Sequence, residues 1–165
     1  MKSYRTIASA VVLTIAAVGQ IALSFLLYND EGNDLVTNAG WVILWVSAIF
    51  GWLPIFTLKK WGGVPQGKGY VNTTQLVDKG VYGVVRHPQY LAGMLMGVAL
   101  SLIAQHWAVA VLGLVVVVIS YVDTYDEERS CVAKFGEEYT RYAERVPRVN
   151  FILGLVRLLR RRTDR

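Results

Sequence analysis

The sequence predicts an all-α integral membrane protein. About four transmembrane helices are expected, two of them forming a helical hairpin in the C-terminal half, followed by a cytosolic helical tail. Three observations carry this expectation. Of 165 residues, 54% are apolar and only 18% charged, with a mean hydropathy of +0.39, a composition that soluble domains do not show. Several runs lack any charge over lengths suited to a bilayer. The 17 lysines and arginines are confined to a few segments that flank those runs.

The first span is expected at residues 6–28. Thr6 to Tyr28 holds 23 residues without a charge, roughly 35 Å of helix at about 1.5 Å per residue. Lys2 and Arg5 precede it, as in a signal peptide, but the apolar stretch is too long and no small-x-small cleavage site follows before Asn29. The second span, 37–58, contains Trp41, Trp45 and Trp52. Pro54 stands about a turn from its end, where a kink or early stop is expected. Two shorter apolar runs, Tyr90 to Ala104 and Trp107 to Val122, are parted only by Gln105 and His106 and read as a helical hairpin, with spans expected at about 89–105 and 107–122. The chain should then continue as helix from Val122 to Phe135, stop at Gly136 as a C-cap, form a short helix from Glu137 to Arg145 and break at Pro147. The segment 123–150 is expected to be cytosolic. The tail, 151–165, is apolar at its start and arginine-rich after Arg157, which suits a helix in the membrane interface. All these parts are expected to form one domain, 1–165.

Lysine and arginine are retained on the cytoplasmic side. Two basic residues precede the first span, five lie between the second and third (Lys59, Lys60, Lys68, Lys79, Arg86), and ten follow Asp123. The loop between the first two spans has Asp30, Glu31 and Asp34 and no cation. Four spans with both termini cytoplasmic satisfy every loop, and the same distribution explains a pI near 9.4 without a nucleic-acid partner. One cysteine, Cys131, excludes a disulfide framework and a cysteine-rich zinc site, and two histidines are too few for most histidine metal sites, so no metal is expected. Gly67-Lys68-Gly69 lacks the spacing of a phosphate loop.

Chemistry is therefore expected in the Lys59 to Gln89 loop and in the tail, where two constellations stand out. At Arg86-His87-Pro88-Gln89-Tyr90, proline opens a helix, and its exposed amides and dipole favour an anion such as a carboxylate. Headgroup anchoring by Arg86 and Tyr90 is the plainer reading. At Asp123, Asp126, Glu127 and Glu128, four acids within six residues need a cation nearby; Arg129, Arg141, Arg145 and Arg148 are the candidates. Glu127 and Glu128 point about 100° apart on a helix, so one can face inward while the other serves a neighbour.

The ordered combination RHPQYLAG at 86–93, an apolar hairpin, and EERSCVAKFGEEYTRYAERVPR at 127–148 resembles the isoprenylcysteine carboxyl methyltransferase and phospholipid methyltransferase superfamily of membrane enzymes. LVDKGVYGVVR at 76–86 is also similar to the family's approach to its first motif. The resemblance implies a cytosol-facing pocket for S-adenosyl-L-methionine. It assigns His87, Tyr90, Gly93, Glu127 and Glu128 to the cofactor, and Arg86, His87 and Arg148 to catalysis. Glu127 or Glu128 suits the cofactor's cationic groups or ribose diol, and Arg86, His87 or helix amides suit its carboxylate. Tyr90 suits the adenine or sulfonium, and Gly93 allows close approach, equally in helix packing. Asp123 is a further pocket candidate, while Tyr139, Tyr142 and Pro147 are expected to close the pocket. Cys131 stands where the family usually has leucine, and Asn150 where a proline often ends the motif.

The implied activity is methyl transfer to a lipophilic acceptor reached from the bilayer at the cytosolic face. The first choice is an isoprenylcysteine-type carboxylate and the alternative an ethanolamine phospholipid. The competing class is a non-enzymatic carrier or structural subunit. An ion-coupled carrier often holds an acid within a span, and here none lies there. A nicotinamide-dependent reductase would need a second phosphate site that the sequence does not offer.

Overall fold

A computed structural model describes residues 4–163 of the chain. Lys2 and the last two residues of the 151–165 tail lie outside the described residues. The elements are helices α1 (Tyr4–Leu26), α2 (Asp34–Trp61), α3 (Pro88–Ala104), α4 (Trp107–Phe135), α5 (Glu137–Arg145) and α6 (Phe151–Thr163), with a 3₁₀ turn at Gly80–Gly83 before α3. Among the described residues there is no strand. Helices α1, α2 and α4 are long and apolar enough to cross a membrane, and α3 is a shorter apolar helix. Their outer faces are greasy: Phe25 is 81% exposed, Trp45 72% and Leu114 63%. Such a surface is stable against acyl chains rather than water.

The helix ends follow the local chemistry. Asn33 caps α2, its side-chain oxygen accepting the amides of Leu35 at 2.9 Å and Val36 at 3.2 Å. The stop at Pro54 does not occur, since α2 runs on to Trp61. Proline removes one ladder bond, and a helix in a bilayer has no competing hydrogen-bond partners to stabilise an unwound continuation. Pro88 opens α3, and Gly136, at φ 56°, separates α4 from α5.

The chain forms two compact units, Met1–Ile49 with Tyr90–Asp126, and Phe50–Gln89 with Glu127–Arg165. In the first, α3 and α4 approach closely at Gly97 and Gly113: a Cβ on Gly113 would lie 2.6 Å from the Gly97 carbonyl oxygen. Gln20 of α1 is fully buried beside this crossing and donates to the Gly97 oxygen at 2.7 Å and the Val109 oxygen at 3.3 Å. One amide thus ties α1 to both arms of the hairpin. The hairpin turn is built on Gln105, in the left-handed region at φ 46°. Its side chain accepts from the Asn33 amide and donates to the Asn33 carbonyl, each at 2.9 Å. His106 accepts the Ala108 amide at 3.2 Å at the start of α4.

The second unit has its core in α5. Tyr139, Tyr142 and Val146 are buried together, with Leu76, Cys131, Phe135 and Ala143 packed against them. The Tyr142 hydroxyl donates to the Tyr82 carbonyl at 2.7 Å, fastening α5 to the 3₁₀ turn. Helix α6 is capped by Asn150, whose side-chain oxygen accepts the Leu153 amide at 3.0 Å.

Candidate functional site

Four of the residues singled out in the sequence meet in the second unit, around the carboxylate of Glu128. The segment before Pro88 runs beside the segment after α5: the Arg86 amide donates to the Pro147 carbonyl at 3.0 Å and the His87 amide to the Arg148 carbonyl at 3.1 Å. Proline at 88 keeps His87 extended, so two successive amides reach this neighbour instead of entering the helix. Pro147 breaks the chain beyond α5 in the same way, freeing its carbonyl for the pairing.

This pairing aims three side chains at one acid. Arg86 Nη1 lies 2.8 Å from Glu128 Oε1, and His87 Nε2 lies 3.2 Å from the same oxygen. Arg148 binds as a fork, Nε to Oε1 at 3.0 Å and Nη2 to Oε2 at 2.5 Å. Bidentate guanidinium–carboxylate pairs are the strongest of the charge-assisted hydrogen bonds. The side chains are largely withdrawn from water, with His87 4% and Glu128 16% exposed.

Burial pushes the His87 imidazole down from the ordinary 6.5 to about 4. The hydrogen bond and charge of Glu128 oppose the shift, and the like charges of Arg86 and Arg148 assist it. At neutral pH the His87–Glu128 contact is therefore a hydrogen bond rather than an ion pair. Because a carboxylate only accepts, Nε2 carries the proton. Two guanidiniums, one carboxylate and a neutral imidazole leave the cluster with an excess positive charge.

Glu127 behaves differently from its neighbour. Its side chain is exposed, and among the described residues it has no hydrogen bond or ion pair. It is close enough to Tyr82 to raise the phenol's pKa further, burial being the larger cause. Arg86 Nε and the Tyr139 hydroxyl are both buried, with no hydrogen-bond partner among the described residues. Tyr139 nevertheless lies near enough to Arg86 for the guanidinium to moderate the rise in its own pKa, which burial drives.

Three of the other expected residues belong to the first unit. Tyr90 and Gly93 belong to the first unit, where a Cβ on Gly93 would be 3.4 Å from Ser120 Oγ, an ordinary packing distance. Asp123 is half-buried and also belongs to that unit. A cleft of about 360 Å³ in the second unit is lined by Lys60, Trp61, Asp78 and Lys79, among others, and by none of the expected site residues. Among the described residues no three His, Cys, Asp or Glu side chains converge as metal ligands would. Two contributors escaped the sequence reading. One is the Tyr82 carbonyl that receives Tyr142. The other is Asn150, whose position just before an apolar helical run is itself a capping signal.

Apolar helices long enough to cross a membrane and an arginine–histidine–glutamate cluster, with no strand among the described residues, define the class as an all-helical multi-pass membrane protein. The model of the phospholipid methyltransferase family matches residues 35–138, well over half of the chain, and the chain belongs to that family. It is a membrane methyltransferase. The match takes in Arg86, His87, Glu127 and Glu128 and stops before Arg148. No curated protein and no solved structure matches the chain significantly.

Proposed function

We propose that the protein transfers a methyl group from S-adenosyl-L-methionine to the carboxylate of a lipophilic, isoprenylcysteine-type acceptor at the cytosolic membrane face. The observation that carries this reading is the gathering of Arg86, His87 and Arg148 on Glu128. The donor set suits the cofactor. An excess of guanidinium charge suits its carboxylate, and the unpaired, exposed carboxylate of Glu127 suits its ammonium or ribose hydroxyls. When bound, the cofactor supplies an electrophilic methyl group on a sulfonium.

The chain's own groups then have distinct roles. Glu128 is a positioning residue that holds two guanidiniums in fixed directions. Arg86 and Arg148 attract and orient carboxylates. His87, neutral and donating to Glu128, keeps the cluster at a single excess charge and is not poised as a general base. A carboxylate acceptor needs no base: its oxygen would form the new bond to the methyl carbon as the methyl–sulfur bond breaks, the electron pair of that bond passing to sulfur, so that the carboxylate and the sulfonium would both lose their charge. Loss of charge on reaction is favoured where water is excluded. The cytosolic orientation rests on the distribution of lysine and arginine.

A second reading, N-methylation of an ethanolamine phospholipid, is favoured by the family's description and by Glu127, a carboxylate able to hold an ammonium. The test is transfer of labelled methyl from S-adenosylmethionine by purified protein, with N-acetyl-S-farnesylcysteine and phosphatidylethanolamine as rival acceptors. A labelled, base-labile ester on the prenylcysteine supports the first reading. Label in the phospholipid alone overturns it in favour of the second.

A further inference from the structure

Helix α6 presents two opposite faces. On one, Gly154 brings the backbone against the chain at Val84, where a Cβ would lie 2.0 Å from the Val84 carbonyl oxygen. Beside it the Phe151 ring stands 5.4 Å from Phe50. This face is fixed to the second unit. At 100° per residue the opposite arc carries Leu155, Ile152, Val156 and Leu159. All four are exposed, Ile152 at 64% and Leu159 at 62%. Exposed Arg160 borders that arc and Arg157 stands further round. By sequence the helix has four arginines and no acidic residue.

We infer that α6 is an in-plane anchor that docks on the surface of a bilayer containing anionic phospholipid. Its apolar arc sinks into the acyl boundary, and its arginines take the headgroup phosphates. The partner is identified by charge and shape together. An amphipathic helix with arginines beside its apolar arc meets both requirements at a lipid–water interface. The chain already carries the apolar helices that hold it at a bilayer. A second copy of the chain would place two arginine-rich, acid-free helices side by side, which like-charge repulsion opposes. The inference stands independently of the chemistry proposed above.

The test uses the full chain in lipid nanodiscs of phosphatidylcholine alone or with phosphatidylglycerol. A nitroxide is attached at Leu155→Cys in a Cys131→Ser background. The docking account predicts that the label is more accessible to oxygen than to an aqueous nickel chelate when phosphatidylglycerol is present. It also predicts that phosphatidylglycerol is enriched among the lipids retained on gentle detergent extraction. The double substitution Arg157→Gln with Arg160→Gln should reduce that enrichment by roughly ten-fold, and the corresponding lysine pair should restore most of it. Monodisperse elution of each variant establishes that it is folded. A label that stays water-accessible in both lipids, an enrichment unchanged by the glutamines, or concentration-dependent dimers crosslinked through residue 155 would overturn the inference.

Discussion

Arg148 grips Glu128 on both carboxylate oxygens, Nε at 3.0 Å and Nη2 at 2.5 Å, across twenty residues that include the whole of α5. The fork also fixes the strand-like pairing of 147–148 with 86–87, so one contact sets both the fold of the second unit and the charge of its cluster. Glu128 is thereby committed to protein partners, and Glu127 is left with its carboxylate unpaired.

The two acids should therefore separate experimentally. Glu128→Gln leaves Arg86 and Arg148 partly buried without their counter-charge, and a loss of roughly 2–4 kcal/mol is expected. Glu127→Gln should leave stability within about 0.5 kcal/mol of the wild type while weakening cofactor binding. Thermal unfolding in detergent and ligand titration on the same samples check both. Equal destabilisation by the two changes would refute the division of roles.

Acid should weaken the fold through His87. Its pKa is lowered to about 4 in the folded chain from the ordinary 6.5, so the unfolded chain binds more protons between those values. Stability then falls as pH drops from about 6.5 to 4, by up to about 3 kcal/mol, and is flat with respect to this group above 7. Denaturant titrations across that range should show the slope in the wild type and its loss in His87→Gln.

Tyr142→Phe removes the hydroxyl that satisfies the Tyr82 carbonyl at 2.7 Å in a buried setting. A loss of about 1–3 kcal/mol is expected. Hydrogen exchange at residues 80–84 should rise with it. Unchanged exchange there would mean that the turn is held by other contacts.

Gly154→Ala forces a methyl group against the Val84 carbonyl oxygen, and α6 must shift to admit it, at a cost of about 1–3 kcal/mol. Gly136→Ala meets no neighbour within 4 Å and suffers only from backbone strain at φ 56° and ψ −134°, about 1–3 kcal/mol. Proteolysis within α6 should increase in the first variant and not in the second.

Much of the helical framework was legible because each boundary has a local cause. Pro88, Gly136 and Pro147 are conformational stops that act within a residue or two. The continuation of α4 past Val122 follows from charged residues that still favour helix. Pro54 misled because its cost is local while the neighbouring turns of α2 continue the helix on either side. The candidate site was legible in its members and not in its wiring. Arg86, His87, Glu128 and Arg148 carry the right chemistry, but which arginine meets which acid depends on main-chain pairing between residues sixty apart. No periodicity records such a pairing. The separation of Glu127 from Glu128 has the same origin, since adjacent acids on a helix are equivalent until a neighbour chooses one.

The most direct test of the central claim is calorimetric titration of S-adenosylhomocysteine into detergent-purified wild type and Glu127→Gln protein, with nicotinamide dinucleotides as controls. The account predicts saturable one-to-one binding to the wild type, no binding of the dinucleotides, and a binding loss of at least about ten-fold in the variant, consistent with one lost charge-assisted contact, at an unchanged unfolding temperature. Absence of binding to folded wild type, or equal affinity in the variant, would contradict it.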